Sequence, residues 1–317
     1  MASVLTHAVA LVALAALANA HLSPYFYDNV CPQALPTIRN GVRAALRREA
    51  RLGASILRLS FHDCFVNGCD GSGLLDDNGS FVGEKTAFPN VNSLRGFEVI
   101  DDIKEAVNQV CNGNVVSCAD ILVAAARDSV VELGGPFWDV ALGRRDSRTA
   151  SKDDANTQLA SPFDDLPVLI SNFQSHGLSV RDLVALLGAH TIGFSRCLFF
   201  RDRIFNESNI HPLYAAFRQR SCPQSGGDDS LAALDTLSSN RFDNSFFGEL
   251  VNNRGLLHSD QELFNGSRGP TDSLVWQYSR DWRAFFSDFS DSMMRLGNLG
   301  VLTGSQGEVR VNCRKPN

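Results

Sequence analysis

Outside residues 1–20, the sequence has no apolar run that approaches the ~20 residues needed to cross a bilayer. It also has no purely basic segment, because the densest group of arginines, between Arg43 and Arg51, contains Glu49. With 29 Lys and Arg against 35 Asp and Glu, the formal net charge is -6. These absences argue against a membrane protein and against nucleic acid as a partner. What is present, 317 residues of which 44% are hydrophobic, is typical of a folded globular chain.

The beginning of the chain differs in composition from the rest. An unbroken apolar run from Val9 to Leu17 is followed by the small residues of Ala18-Asn19-Ala20. This pattern predicts a signal peptide over residues 1–20, cleaved after Ala20, and a mature domain over residues 21–317. A membrane anchor is the alternative, because the leader contains no Lys or Arg. A cleaved leader would make the protein secreted.

Two further features agree with secretion. All 8 cysteines lie beyond the leader, and an even number in a secreted chain predicts disulfides. The sequence alone does not choose among the many pairings that eight cysteines allow. Sequons for N-glycosylation begin at Asn78, Asn206 and Asn265.

The apolar residues recur three and four positions apart, as in Ile100, Ile103 and Val107, and no sustained alternation of the strand type is present. The sequence therefore predicts a mainly α fold. Ser residues three positions before Asp120 and Asp182 have the spacing of helix capping boxes. The stretch 147–171, which contains two prolines, predicts a long loop between two helical halves.

The first chemically suggestive segment contains Arg58 and His62, four residues apart and so on one face of a helix. A guanidinium beside an imidazole lowers the histidine pKa and keeps the ring available as a base. The arginine can also stabilise negative charge on a leaving atom. The alternative is a surface arginine next to a hydrogen-bonded core histidine.

An oxygen-rich segment follows directly. Asp63, Asp70 and Ser72 place two carboxylates and a hydroxyl within ten residues, a density that suits Ca²⁺ although the spacing is not that of an EF-hand. Zinc held by His62, Cys64 and Cys69 is a weaker alternative, since no fourth ligand is near and oxidised cysteines supply no thiolate.

The second histidine segment is an apolar helix that runs into His190 between Gly188 and Gly193. Such a histidine is either an axial ligand of a metal or haem, or a hydrogen-bonded core residue. The chain has no Cys-x-x-Cys-His motif, which excludes covalent haem attachment of the c type. It also has no Gly-x-Ser-x-Gly elbow, so a standard hydrolase would lack its nucleophile.

Taken together, these segments resemble the class III secretory haem peroxidases of plants. The resemblance runs from His21 to Cys313 and is carried by RLSFHDCFVNGCD from Arg58, EKTAFPN from Glu84, VSCAD from Val116, LGRRD from Leu142, GAHTIG from Gly188, FDN from Phe242 and SDQELF from Ser259. It implies a two-lobed, mainly α fold with one non-covalent haem b between distal and proximal helical lobes. It also implies an enzyme that reduces hydrogen peroxide to water, through a ferryl intermediate, while oxidising two phenolic donors by one electron each.

The resemblance assigns roles on both haem faces. On the distal face, His62 would act as acid and base, Arg58 would stabilise charge during O–O cleavage, Asn90 would set the His62 tautomer, and Phe61 would contact the haem. On the proximal face, His190 would ligate iron and Asp260 would accept its second N–H. Ala160 stands where the family usually has a proline at the donor site. Its carbonyl would still accept a hydrogen bond from the substrate, with looser backbone geometry.

Two calcium sites and a disulfide pattern are also implied. The distal calcium would be held by Asp63, Val66, Gly68, Asp70 and Ser72, with Glu84 in an outer position. The proximal calcium would be held by Thr191, Asp235, Ser238, Arg241 and Asp243, where Ser238 replaces the usual threonine. The four disulfides would pair Cys31 with Cys111, Cys64 with Cys69, Cys118 with Cys313 and Cys197 with Cys222. Asp120 and Arg144 match a buried structural ion pair.

The resemblance further implies a monomer that acts on hydrogen peroxide and small phenolic donors outside the cell, in the plant apoplast or cell wall. A glycosylated, calcium-stabilised wall or binding protein with weak turnover on the same scaffold is a second hypothesis, because fold does not guarantee function. A hydrolase that uses Ser60 is a third, and it rests on nothing beyond proximity in sequence.

Overall fold

The computed structural model of the protein describes residues 22–317, so the predicted signal peptide and its cleavage point lie outside the described residues. Over this range the chain is mainly helical, which confirms the predicted fold class. No described helix is both long and apolar enough to cross a membrane. The described part contains thirteen α-helices: α1 (Ala34–Arg48), α2 (Leu52–Phe65), α3 (Phe97–Val110), α4 (Cys118–Glu132), α5 (Lys152–Gln158), α6 (Leu166–Ser175), α7 (Val180–Leu187), α8 (Arg201–Asn206), α9 (Pro212–Gln219), α10 (Ser245–Val251), α11 (His258–Gln261), α12 (Asp272–Arg280) and α13 (Trp282–Gly297).

Short elements connect these helices. Two strands, β1 (Phe194–Arg196) and β2 (Leu231–Ala233), pair antiparallel with Ser195 opposite Ala232. Four turns of 3₁₀-helix occur as well, at Ser72–Leu74, Glu84–Thr86, Gly188–Thr191 and Cys197–Phe199. The turn Gly188–Thr191 follows α7 directly and carries the second histidine segment.

The helices form two packed groups. In the distal lobe, α1 packs against α3 and α4, and α2 lies against α4. In the proximal lobe, α13 packs against α7 and α12, and α10 packs against α12. α13 also contacts α2 of the distal lobe, so it joins the two groups. This arrangement confirms the two-lobed organisation that the resemblance implies.

Local sequence explains the central helix of the distal lobe. Helix α4 is buried at every position from Cys118 to Val130, because its apolar residues surround the whole axis rather than forming one stripe. Ser117 caps it by accepting a hydrogen bond from the Asp120 amide at 3.1 Å. The predicted capping box at α7 is complete, since Ser179 and Asp182 bond reciprocally.

The predicted loop over residues 147–171 is wrong in its extent. The stretch contains α5, which Ser151 caps by accepting from the Asp154 amide, and the beginning of α6. Pro167 lies in the first turn of α6, where the missing N–H of proline costs no helical hydrogen bond. Proline was therefore a helix-start signal here rather than a loop signal.

The structure contains four disulfides, and no cysteine of the described residues is free. The zinc alternative is wrong, because Cys64 and Cys69 are bonded to each other and supply no thiolate. The pairs are those that the resemblance implies, Cys31–Cys111, Cys64–Cys69, Cys118–Cys313 and Cys197–Cys222.

Candidate active site

His62 lies in the last turn of α2 and is buried, with 8% of its surface exposed. Its Nδ1 is 2.6 Å from Asn90 Oδ1. The Asn90 amide group donates through Nδ2 to the Glu84 carbonyl at 2.9 Å, so the amide oxygen faces the imidazole. Nδ1 of His62 therefore carries the proton, and Nε2 is the basic nitrogen. Burial, and then the charge of Arg58, hold the His62 pKa well below its usual 6.5.

Arg58 lies one turn before His62 on the same helix. Its Nη1 donates to Ser93 Oγ at 2.8 Å and its Nη2 donates to the Pro89 carbonyl at 2.9 Å. Burial lowers the pKa of the guanidinium to about 10, which leaves it protonated at neutral pH. The pair therefore combines a neutral base with a fixed positive charge, as the spacing of the two residues predicts.

Phe61 packs beside this pair. Its ring lies 6.0 Å from the His62 ring at an interplanar angle of 71°, and it stacks on Phe65 at 4.4 Å. Phe65 in turn stacks on His176, whose Nε2 is 3.0 Å from the Phe65 carbonyl. These contacts support the C-terminal end of α2, where the distal histidine lies.

His190 lies in the 3₁₀ turn after α7. Its Nδ1 is 2.7 Å from Asp260 Oδ1, and Asp260 is fully buried in α11. The second carboxylate oxygen of Asp260 accepts from the Leu257 amide at 3.1 Å, which fixes its orientation. The His190 side chain is 33% exposed, and no described residue hydrogen-bonds its Nε2. An imidazole with an available Nε2 and an aspartate side chain on Nδ1 has the arrangement of a histidine that could hold a haem iron.

The predicted distal calcium ligands converge on a buried acidic pocket. Asp63, Asp70 and Glu84 are all buried, and burial raises the pKa of each carboxyl, that of Glu84 to about 8. Ser72 Oγ and Glu84 Oε1 are buried without a hydrogen-bond partner among the described residues. Three buried carboxyl groups beside an orphaned hydroxyl fit a bound divalent cation, which would supply the missing positive charge.

The backbone ligands of this set lie at the end of the same helix. Val66 caps α2, and Gly68 has a φ of 116°. A side chain at Gly68 would lie 2.5 Å from the backbone of Gly300, so only glycine fits there. The chain can thus turn back sharply and keep Asp63 and Asp70 close together.

The predicted proximal calcium ligands also converge. Thr191 Oγ1 donates to Asp235 Oδ2 and Asp243 Oδ1, both at 3.2 Å, and Ser238 Oγ donates to Asp243 Oδ1 at 3.0 Å. Burial raises the pKa of Asp235. The amide of Arg241 donates to the Ser238 carbonyl at 2.8 Å, while its side chain is exposed. The set is connected to the predicted iron ligand, since Thr191 follows His190 directly.

Comparison with known proteins agrees with this geometry. The family model described as peroxidase matches residues 38–281. Peroxidase RIP1 of Medicago truncatula is 60% identical over 299 residues, which cover 94% of this chain and 92% of that protein. Peroxidase P7 of Brassica rapa subsp. rapa is 57% identical over 298 residues, 93% of this chain and 100% of that protein. A lignin-forming anionic peroxidase of Nicotiana sylvestris is 54% identical over 300 residues, 94% of this chain and 92% of that protein.

The chain belongs to the plant haem peroxidase family. It is an enzyme that uses hydrogen peroxide to oxidise donor molecules. Family membership also implies haem as the cofactor. The hydrolase hypothesis based on Ser60 is thereby rejected.

The resemblance implies a donor site at Ala160. No described residue donates a hydrogen bond to the Ala160 carbonyl. The segment is held on both sides, because the Ser161 amide donates to Asp164 at 2.8 Å and the Ser259 amide donates to the Pro162 carbonyl at 3.1 Å. The second of these bonds links the segment around Ala160 to the helix that carries Asp260.

Sequence reasoning missed an aromatic cluster beside these segments, formed by Phe88, Phe163 and Phe199. The Phe199 ring lies 6.5 Å from Phe88 and 6.3 Å from Phe163. Phe88 is 65% exposed and Phe163 is 48% exposed, although both are large apolar residues. The signal was present, since Phe88 lies two residues before Asn90 and Phe163 lies three after Ala160. Only the fold brings the three rings together.

Proposed function

We propose that this peroxidase cleaves hydrogen peroxide with His62 and Arg58 and oxidises phenolic donors by one electron at a time. When bound, haem supplies the redox-active iron at which peroxide reacts. The observation that carries the assignment is the oriented pair of His62 and Asn90 beside a charged Arg58. No other imidazole of the described residues combines burial, a defined tautomer and a neighbouring guanidinium on its own helix.

His62 moves the proton in this proposal. Its unprotonated Nε2 takes a proton from one oxygen of hydrogen peroxide. The resulting imidazolium gives this proton to the other oxygen, which leaves as water. The lowered pKa supports both steps, because the neutral ring is available and the imidazolium releases its proton readily. Arg58, held by Ser93 and Pro89, stabilises the negative charge that develops on the leaving oxygen.

His190 would hold the haem iron through its Nε2. Asp260 accepts the Nδ1 proton and so leaves Nε2 as the ligand atom. A carboxylate on the second nitrogen makes the imidazole a more basic ligand than a neutral partner would. The two histidines thus play different roles because their Nδ1 partners differ.

The proposal includes two calcium ions. The distal ion would be held by side chains of Asp63, Asp70 and Ser72 and by carbonyls of Val66 and Gly68. The proximal ion would be held by Thr191, Asp235, Ser238, Asp243 and the Arg241 carbonyl. The support is the burial of acidic side chains in both sets and, in the distal one, the Ser72 hydroxyl that has no hydrogen-bond partner among the described residues. Replacement of the usual threonine by Ser238 keeps the hydroxyl ligand.

The proposed donors are small phenols that approach past Ala160. The support is the unpaired Ala160 carbonyl, an acceptor for a phenolic hydroxyl, and the exposed rings of Phe88 and Phe163, against which an aromatic donor can pack.

The proposal extends to the mature protein and its location. Cleavage after Ala20 would release a monomer over residues 21–317 into the apoplast or cell wall, without a nucleic-acid partner. The acidic net charge and the four disulfides support this assignment. Asn78, Asn206 and Asn265 are all exposed, as glycan acceptors must be.

The experiment that tests this proposal is the visible spectrum of the purified holoenzyme before and after one equivalent of hydrogen peroxide. We expect a haem absorption band that shifts rapidly on mixing and returns when a phenol such as guaiacol is added. A haem band that peroxide leaves unchanged would overturn the roles of His62 and Arg58. A band that shifts but is not restored by phenols would overturn the donor assignment alone.

A further inference from the structure

Two of the three tryptophans are exposed, and they lie close together in sequence. Trp276, in α12, is 39% exposed, and Trp282, at the start of α13, is 46% exposed. Each packs against an arginine, Arg280 at 4.4 Å from the Trp276 ring and Arg283 at 4.7 Å from the Trp282 ring. At the surface the two indoles are therefore alike. They differ in the rings that lie beneath them.

A continuous series of aromatic contacts leads inward from the proximal histidine. The His190 ring meets Phe246 at 6.1 Å, Phe246 meets Phe247 at 5.3 Å, and Phe247 meets Tyr278 at 5.1 Å. Tyr278 is fully buried, and its hydroxyl donates to Asp288 at 2.6 Å. A phenol bonded to a carboxylate can lose an electron while its proton moves to that carboxylate, so no buried phenol cation has to form. Tyr278 is thus a redox-capable residue inside the proximal lobe.

The series continues from Tyr278 to the surface. The Tyr278 ring lies 5.7 Å from Phe285, Phe285 lies 5.7 Å from Phe286, and Phe286 lies 5.1 Å from Trp282. Each separation is that of rings in packing contact. We call the series from His190 to Trp282, with Tyr278 between them, the aromatic path. It joins the ligand that would bind iron to an indole in contact with solvent.

Trp276 and Trp138 show what is particular about Trp282. Trp276 contacts Phe264 at 5.7 Å, and within residues 22–317 no ring contact continues from Phe264 toward His190. Trp138 joins the path through Phe289 at 5.9 Å, but it is only 5% exposed. Trp282 is therefore the tryptophan that is both connected to the path and able to meet a donor in solution.

We propose that Trp282 is a second oxidation site of this enzyme, at the protein surface, for phenolic groups on polymers too large to enter by way of Ala160. The proposal rests on the peroxidase activity, because the oxidant is the enzyme after its reaction with peroxide. The oxidised enzyme takes one electron from the Trp282 indole along the aromatic path and is reduced by one electron. The indole radical cation takes one electron from a phenol, whose hydroxyl proton passes to water. The product is a neutral phenoxyl radical, and two such events return the enzyme to its resting state.

Radical trapping tests the path without any donor. The holoenzyme is mixed with one equivalent of hydrogen peroxide and a nitroso spin trap, and its peptides are mapped by mass spectrometry. We expect the adduct on Trp282 and not on Trp276, and its disappearance in W282F. In Y278F, which loses one hydroxyl and keeps the ring, we expect less adduct on Trp282. Absence of an adduct on Trp282, or equal adducts on both exposed tryptophans, would overturn the proposal.

Two forms of one donor test the function. Free ferulate reports oxidation by way of Ala160, and ferulate coupled to dextran reports oxidation at the surface. For W282F we expect the ratio of kcat/KM for the polymer to kcat/KM for free ferulate to fall about tenfold. The matched variant W276F, which removes an indole of similar exposure, should keep the wild-type ratio.

The two donors also separate this inference from the general function. If wild-type enzyme oxidises neither form of ferulate, the proposed donor class is wrong. If W282F oxidises the polymer as fast as the wild type, the proposed donor class stands and Trp282 is not an oxidation site.

Discussion

His62 and His190 have the same local arrangement and different proposed roles. In both, Nδ1 lies against a side-chain oxygen, 2.6 Å from Asn90 for His62 and 2.7 Å from Asp260 for His190. The two partners differ in charge, because the first oxygen belongs to a neutral amide and the second to a carboxylate. The surroundings differ as well, since Arg58 lies beside His62 while the His190 ring packs edge-on against Phe246.

In the proposed mechanism, the same side chain, an imidazole, serves as a base at His62 and as a ligand at His190. An amide partner fixes the tautomer of His62 without favouring its protonation, so the ring remains a base. A carboxylate partner increases the electron density of His190 and favours its role as a ligand. The side chain that contacts Nδ1 thus distinguishes the proposed proton carrier from the proposed metal ligand.

The largest expected effect comes from removing the distal base. In H62A, peroxide cleavage should fall about 10³-fold, because general acid–base catalysis contributes that order of rate. Stopped-flow absorption at the haem band measures this step directly. The haem content and the melting midpoint of H62A should match those of the wild type. A near-normal rate in a correctly loaded variant would show that His62 is not the proton carrier.

Removal of the proximal charge should have the next largest effect. D260N keeps the shape of the side chain and makes both histidine partners amides. We expect the peroxide step to slow about 10–100-fold, the usual range for the loss of such a ligand partner. The reduction potential of the haem should rise, because a less basic His190 stabilises oxidised iron less. A variant with the wild-type potential and rate would contradict the proposed role of Asp260.

The reverse exchange, N90D, should change how the rate of peroxide cleavage depends on pH. The His62 pKa lies well below 6.5 in the wild type, and a carboxylate at position 90 favours the imidazolium and raises it. Because cleavage needs the neutral ring, the rate is lost as the pH decreases through this pKa. The acid limb of the pH–rate profile should therefore move to higher pH in N90D, while the rate at alkaline pH stays close to that of the wild type. An unmoved acid limb would count against control of His62 by Asn90.

Calcium removal should make the stability of the protein depend on pH through the buried carboxyl groups of Asp63 and Glu84. In the calcium-free protein, the pKa of Glu84 is raised to about 8 and that of Asp63 is raised as well, so the folded state binds more protons than the unfolded state between their ordinary pKa values and the raised ones. Stability should then decrease as the pH rises through this window. The calcium-loaded protein should melt about 5 °C or more above the calcium-free protein at pH ~8, with a smaller difference at pH ~5. Equal melting curves after verified calcium loss would argue against both proposed calcium sites.

The smallest expected effect is at the donor segment. Leu159 has φ -71° and ψ 130°, values that a residue before proline adopts easily, so A160P should fold. We expect a change of about two- to threefold in KM for small phenols and a gain of about 0.5 kcal/mol in stability. The rate of peroxide cleavage should not change, since Ala160 makes no hydrogen bond to His62 or His190. Steady-state kinetics with a phenol at saturating peroxide measures the shift. No change in KM would remove Ala160 from the donor site.

Much of the fold followed from local signals. The spacing of Ile100, Ile103 and Val107 predicts the buried face of α3, and Ser117 and Ser179 mark helix starts where the structure has them. The prediction of a loop over residues 147–171 was wrong in its extent, because the effect of proline on a helix depends on its position. In mid-helix it breaks the hydrogen bonds, whereas in the first turn, as at Pro167, it removes a donor that has no helical partner.

The sequence by itself determined the candidate chemistry, because Arg58 and His62 share one helix face and the resemblance supplied Asn90, His190 and Asp260 as their partners. Only the tertiary structure decided how that chemistry is oriented. The tautomer of His62 depends on the Glu84 carbonyl, which turns the Asn90 amide. The donor-side cluster and the aromatic path join rings from distant segments, among them Phe88 with Phe199 and His190 with Phe246. Helix periodicity and capping act over one or two turns, so neighbouring residues determine them. The partner of an imidazole or of an aromatic ring depends instead on packing between segments far apart in the chain.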